Sequence, residues 1–321
     1  MSLTKTLFVA IDKLFNRPQN PKKMERALSS VTAVQDVAYS ADYPDMRLDV
    51  NFLPRSDGSR YPVIMVIHGG GFSAGDKKYR RVLSKYFAKH TGAFVVNVNY
   101  GVGRTNAFPL PLRHLVAAAN WVCDNTETYN LDLSHFAVFG DSAGAYYAAF
   151  LCALQDNPAL QEQFGCSLNA RFTAGIFNCG PYDFRKMMDK STGLHRGICK
   201  EFTGLTLKQA RAEGLFDKLS VTNYVIAAFP PCFVVHARHD VFCKGQAELL
   251  LAALHQHNVS VESIGSTKLT DNHDYNLTWK SKMAVLTNAK MINFLNTHFY
   301  GEATPRPDEI PTHEPSQTPI L

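Results

Sequence analysis

Apolar and polar positions along the chain change their period several times, and each change marks an expected element. Leu7, Phe8, Ile11, Leu14 and Phe15 recur at helical spacing, which predicts an amphipathic helix that Pro18 stops. From Val34 the period becomes two. Leu48, Val50 and Phe52 alternate with polar residues and Asp57-Gly58 supplies a turn, so a hairpin-like pair should open the sheet. Continuous apolar runs follow at Val63 to Ile67, Phe94 to Val98, Phe136 to Phe139, Gly175 to Phe177 and Phe233 to Val235, as in strands buried on both faces. Helical stretches lie between them, at Leu112 to Cys123, Ala143 to Leu154 and Gln246 to His257. Such alternation predicts an α/β fold with a mostly parallel central sheet flanked by helices and right-handed crossovers.

Two regions fall outside this rhythm. Tyr182 to about Ala227 is mixed, charged and too long for one crossover helix, and it reads as an inserted cap. From Gly301 the chain carries Pro305, Pro307, Pro311, Pro315 and Pro319 with few apolar anchors, which suits an extended tail. The expected layout is an N-terminal cap-helix region at 1–35, one α/β domain at 36–300 with the insertion at about 182–227, and a proline-rich tail at 301–321.

Two short motifs carry the chemistry. Phe136 to Phe139 leads into Gly140-Asp141-Ser142-Ala143-Gly144 and then a helix-forming run, so a G-x-S-x-G turn sits between a strand and a helix. That context holds a serine in a strained turn above the sheet, at a helix N-terminus whose free N–H groups favour a developing alkoxide. His68-Gly69-Gly70-Gly71-Phe72 follows the strand ending at Ile67. Successive glycines leave backbone N–H groups bare enough to reach a substrate oxygen. A phosphate loop is the competing reading, but Gly75-Asp76-Lys77 does not supply its Gly-Lys-Ser/Thr ending.

Composition narrows the class further. The net charge is +5, yet charged residues make up only 19% of the chain and no basic stripe is interleaved with aromatics, which argues against nucleic acid as a partner. Seven scattered cysteines do not form the framework of a small secreted domain, and reduced thiols in a cytoplasm fit them best. The apolar run from Leu7 stops at Asp12, too short for a signal core, and no run reaches transmembrane length.

Together His68-Gly69-Gly70-Gly71-Phe72 and Gly140-Asp141-Ser142-Ala143-Gly144 resemble the hormone-sensitive-lipase-like branch of esterases and lipases, over roughly residues 40 to 300. The resemblance implies an α/β-hydrolase fold. It also implies that Gly70 and Gly71 donate N–H groups to an oxyanion together with Ala143. The strand ending at Tyr100 follows that family's Tyr-Arg pattern only as far as Tyr100, and Ala145 stands where many members carry a glycine.

In this fold the acid follows the nucleophile and the base follows the acid. Of twelve histidines, His273 lies in the polar loop Asp271-Asn272-His273-Asp274-Tyr275, after the expected last strand Val259 to Ile264, where the resembling family keeps its histidine. His298 ends an apolar helical run and reads as a capping residue, as do His255 and His257. Asp240 ends the loop Ala237-Arg238-His239 that leaves a strand's C-terminal end, where it can accept the imidazole proton. Asp271 and Asp274 flank the histidine, but sequence neighbours seldom reach the ring in the needed orientation. Cys232, His236, His239 and Cys243 have the spacing C-x3-H-x2-H-x3-C, which lacks the tight C-x2-C knuckle of a structural zinc site.

The resulting expectation is a serine carboxylesterase with Ser142 as nucleophile, His273 as base and Asp240 as acid, acting on short- to medium-chain esters without cofactor or metal. The partner is a small-molecule ester, and the chain could pair as a homodimer. The same groups would serve an amidase, lactonase or peptidase. A non-catalytic ligand-binding relative would be expected to have lost a triad member, and none is missing.

Overall fold

The computed structural model describes residues 2–16, 19, 21–189 and 191–301. Eight strands, β1 (Thr32–Ala38), β2 (Arg47–Phe52), β3 (Tyr61–Ile67), β4 (Phe94–Val98), β5 (Leu131–Asp141), β6 (Ala174–Asn178), β7 (Cys232–Ala237) and β8 (Val261–Ser266), form one sheet in the order β1-β2-β4-β3-β5-β6-β7-β8. Only β1 with β2 and β2 with β4 pair antiparallel; from β4 to β8 every pairing is parallel. Helices α1 (Leu3–Ile11) and α2 (Lys22–Ala27) precede the sheet, and α3 (Arg81–Thr91), α4 (Leu110–Asp124), α5 (Ala143–Leu154) and α6 (Pro158–Phe164) follow its middle strands. The insertion holds α7 (Phe184–Met188), α8 (Gly193–Thr203), α9 (Leu207–Ala212) and α10 (Leu215–Leu219), and α11 (Gln246–Gln256) and α12 (Lys282–Tyr300) flank β8.

The continuous apolar runs have the cause their pattern implies, because both faces of the central strands are covered. Along β3, Val63, Met65 and Ile67 join the core under α4 and α5, while Ile64 and Val66 face the core that Phe87 of α3 and Met291 and Leu295 of α12 complete. Each such fully buried side chain contributes about 1.5–3 kcal/mol. All residues of α5 are buried, since this helix lies between the sheet and the insertion and therefore carries no polar stripe.

Three expectations need adjustment. β1 begins at Thr32, so a boundary at 35/36 would cut through a strand that pairs with β2. The alternation in β2 does not separate core from water: Asp49 and Asn51 are buried as deeply as Leu48 and Val50. Asp49 is covered because the turn before α3 brings Lys77 and Arg81 onto its carboxylate. The N-terminal helix ends at Ile11 and passes into a wider π-helical turn over Asp12–Asn16. Of its apolar stripe Phe8 is buried, whereas Leu7 and Leu14 are exposed. Pro18 and the tail beyond Gly301 lie outside the described residues. Among the described residues no helix is long and apolar enough to cross a membrane.

Candidate active site

The parallel strands end together, and their C-terminal loops converge as the topology of α/β sheets dictates. Five of them build one site. Ser142 stands between β5 and α5 at φ 52, ψ −121, a left-handed conformation costly for a residue with a side chain. Its N–H donates to the carbonyl of Asn178 at 2.8 Å, which ties the turn to the end of β6.

Across the sheet edge the loop after β8 brings His273 over the serine. Nε2 lies 2.8 Å from Ser142 Oγ. Nδ1 faces both carboxylate oxygens of Asp240, at 3.0 and 2.9 Å. A carboxylate can only accept, so Nδ1 carries a proton, and Nε2, once deprotonated, faces the serine hydroxyl as an acceptor. Asp240 Oδ1 accepts in addition from Phe242 N and Cys243 N, each at 2.8 Å. Burial works against the charge of Asp240, but His273 and these N–H groups outweigh it and hold its carboxyl below the ordinary value. Burial likewise disfavours charge on His273, yet the carboxylates of Asp274 and Asp240 raise its pKa to about 9. The three residues read from the sequence are thus brought together, in the orientation expected.

The glycine loop after β3 reaches the same place. Its anchor is Asp141, whose carboxylate accepts from Gly69 N at 3.0 Å and is gripped through two nitrogens by the buried guanidinium of Arg80. Tyr100 donates to the His68 carbonyl at 2.7 Å and stacks on the His68 ring. Gly70, at φ 135, closes a turn in which Ser73 N and Ala74 N donate to its carbonyl, and a Cβ there would stand 2.1 Å from the Ala74 carbonyl oxygen. Gly71 follows at φ 58. As the first residue of α5, Ala143 has an N–H with no carbonyl one turn earlier to accept it. The ring of Phe8 lies against Gly71, and its edge meets Phe242, whose own ring packs edge-on against His273. Asp12 accepts from Gly75 N at 2.8 Å, so the N-terminal segment is fastened to this loop at two points.

Sequence reasoning missed Arg80, Asp141, Asn178 and Asp274. Arg80 sits in Lys77-Lys78-Tyr79-Arg80-Arg81, where nothing local marks it, and the fold buries it along with Lys77. Asp274 comes within 3.4 Å of the imidazole at Nε2, while the orienting place at Nδ1 goes to Asp240 as expected. Asp271 instead accepts from Ser266 Oγ at 2.7 Å. Cys232, His236, His239 and Cys243 do not converge. Among the described residues the one set of His, Cys, Asp or Glu ligand atoms close enough for a metal is Cys179, Asp240 and His273, which shares two members with the Ser142 cluster.

Fold and site together define an α/β-hydrolase. Residues 48–254 match the BD-FAE family model, and the chain belongs to that family. Esterase LipQ and the probable carboxylic ester hydrolase LipM, both of Mycobacterium tuberculosis (strain ATCC 25618 / H37Rv), are each 25% identical, over 71% and 68% of this chain and 53% and 51% of their own lengths. The chain spans about half the length of these relatives. Among solved structures, an inhibited form of esterase B from Lactobacillus rhamnosis superposes with a TM-score of 0.77 at 20% identity, covering 93% of this chain and 97% of that one. An esterase from Pyrobaculum calidifontis gives 0.70 at 19% identity, over 90% and 93%. The resemblance carried by the two glycine motifs is therefore matched by esterase relatives, and the fold by esterase structures.

Proposed function

We propose that this protein is a serine carboxylesterase that hydrolyses short- to medium-chain esters through an acyl-enzyme. The observation that carries this reading is the line Ser142 Oγ, His273, Asp240, at 2.8 and 2.9 Å, beside a glycine loop tied to the same turn through Asp141. In the proposed reaction His273 Nε2 removes the hydroxyl proton as Ser142 Oγ bonds to the ester carbonyl carbon. The carbonyl π electrons move to oxygen, where the N–H groups of Gly70, Gly71 and Ala143 receive the charge. The proton passes from Nε2 to the leaving alcohol, and water then repeats the sequence to release the acid. No cofactor enters this scheme, and all its groups come from one chain, so it needs no second copy. Seven free thiols support a cytoplasmic location.

The chain-length preference is supported by Phe8 and Phe242, which wall the space between Gly71 and His273. In that role the N-terminal helix acts as cap, together with the insertion, whose Phe184 and Phe202 pack on Phe72. A nitrophenyl ester series of increasing acyl length, run beside an amide analogue, tests this. Turnover should peak at short acyl chains and be slow on the amide. Removing residues 2–16 should move the optimum to longer chains or raise KM, whereas an unchanged profile in a soluble truncated protein would assign this helix to scaffold.

A further inference from the structure

The loop after β8 carries a second carboxylate that the scheme above does not use. Asp274, the next residue after His273, adopts φ 51, a left-handed conformation. Oδ2 lies 3.4 Å from Nε2, the nitrogen that also faces Ser142 Oγ. Oδ1 accepts from Asn178 Nδ2 at 2.7 Å. Asn178 is fully buried at the end of β6, and its carbonyl receives the Ser142 N–H, so the strand that fixes the nucleophile also fixes this carboxylate.

The imidazole is therefore flanked by carboxylates at both nitrogens. At Nδ1 this suits the neutral tautomer. At Nε2 it favours the doubly protonated ring, because positive charge on the imidazole is attracted by the Asp274 carboxylate 3.4 Å away. Burial raises the Asp274 carboxyl itself to about 7, so it acts as a carboxylate above that pH, where other groups around it do not cancel its effect. Asp141, at the end of β5, is paired with Arg80 from the turn before α3, and that guanidinium is in turn influenced by Asp12. Cys179 after β6, Tyr182 at the start of the insertion and Cys243 before α11 are buried acids whose burial keeps them neutral. Asp240 stands on the far side of the ring.

Resting on the reading of Ser142, His273 and Asp240 as a catalytic triad, we infer that Asp274 is a positioning residue that holds a proton on His273 Nε2 and so sets the pH at which the imidazole is released to act as base. In the resting pair Nε2 is protonated and donates to Ser142 Oγ, with the Asp274 carboxylate 3.4 Å away. As pH rises the proton passes to solvent, leaving the Nε2 lone pair for the serine hydroxyl. The upward displacement of His273, to which Asp274 is the largest raising contribution, agrees with this direction. Such a pair titrates as a unit.

The test is the pH dependence of Ser142 labelling by a fluorophosphonate probe, which reads the free base whatever ester the protein prefers. Asp274→Asn should move the acid limb down by about one pH unit or more, since one of the two neighbouring charges is lost. Asp274→Glu should return it toward the wild-type position. Asn178→Ala keeps Asp274 but removes the donor that favours its ionised form, and should shift the limb the same way as Asp274→Asn. Wild-type limbs in Asp274→Asn and Asn178→Ala would overturn the inference, and if Asp274→Asn does not fold, Asn178→Ala decides alone. Equal labelling of Ser142→Ala and wild type would instead sink the triad reading.

Discussion

Replacing Ser142 with alanine is expected to cut ester turnover by about four to six orders of magnitude while the protein stays folded. In the proposed reaction this hydroxyl is the attacking group, and its partner in the structure is His273 Nε2. The strained turn does not depend on it. Gly140 and Gly144 pass so close that a Cβ on Gly140 would stand 2.1 Å from the Gly144 carbonyl oxygen, and the Ser142 N–H is held by Asn178 whatever side chain follows. His273→Ala should cost about as much, and the double variant little more, because the two act in one proton transfer. Values of kcat/KM for the three variants on one short nitrophenyl ester check this. Additive losses would mean that the residues act separately.

Asp240→Asn should lower kcat/KM by about 10⁴-fold, and the structure shows how so small a change does so much. An asparagine at this position can keep its oxygen where Oδ1 accepts from Phe242 N and Cys243 N. Its NH₂ then occupies the place of Oδ2, 2.9 Å from His273 Nδ1. A donor there forces Nδ1 to accept, moves the ring proton to Nε2, and points it at the nucleophile. Asp274→Asn, which touches the other nitrogen, should leave the alkaline plateau far less affected. Should it prove the more damaging change at every pH, the role of acid would pass to Asp274.

What could be read from sequence follows a physical divide. Strands such as β4 and helices such as α5 were legible to the residue, because burial on both sides makes them almost wholly apolar, with Asn97 the one polar interruption in β4. The serine turn and the glycine loop were legible because each needs specific residues at fixed spacing. His273 and Asp240 followed from chain order. The residues that brace the serine turn and the histidine were not legible, since nothing local distinguishes Arg80 from Lys77, Lys78 and Arg81 around it, or Asp274 from Asp271. Their roles arise from contacts between loops distant in sequence, such as Arg80 with Asp141 and Asn178 with Asp274. The apolar stripe of the first helix misled for a related reason: its period was correct for a helix, but Phe8 and Ile11 pack inward, Phe8 against the glycine loop, while Leu7 and Leu14 are exposed.

The proposed acyl transfer is tested most directly by trapping the intermediate. Protein mixed briefly with a short nitrophenyl ester, quenched in acid and digested, should yield one peptide heavier by the acyl group, with the mass located on Ser142. The same treatment of His273→Ala should leave that peptide unmodified. Acyl mass on another residue, or ester turnover with Ser142 unmodified throughout, would contradict the account.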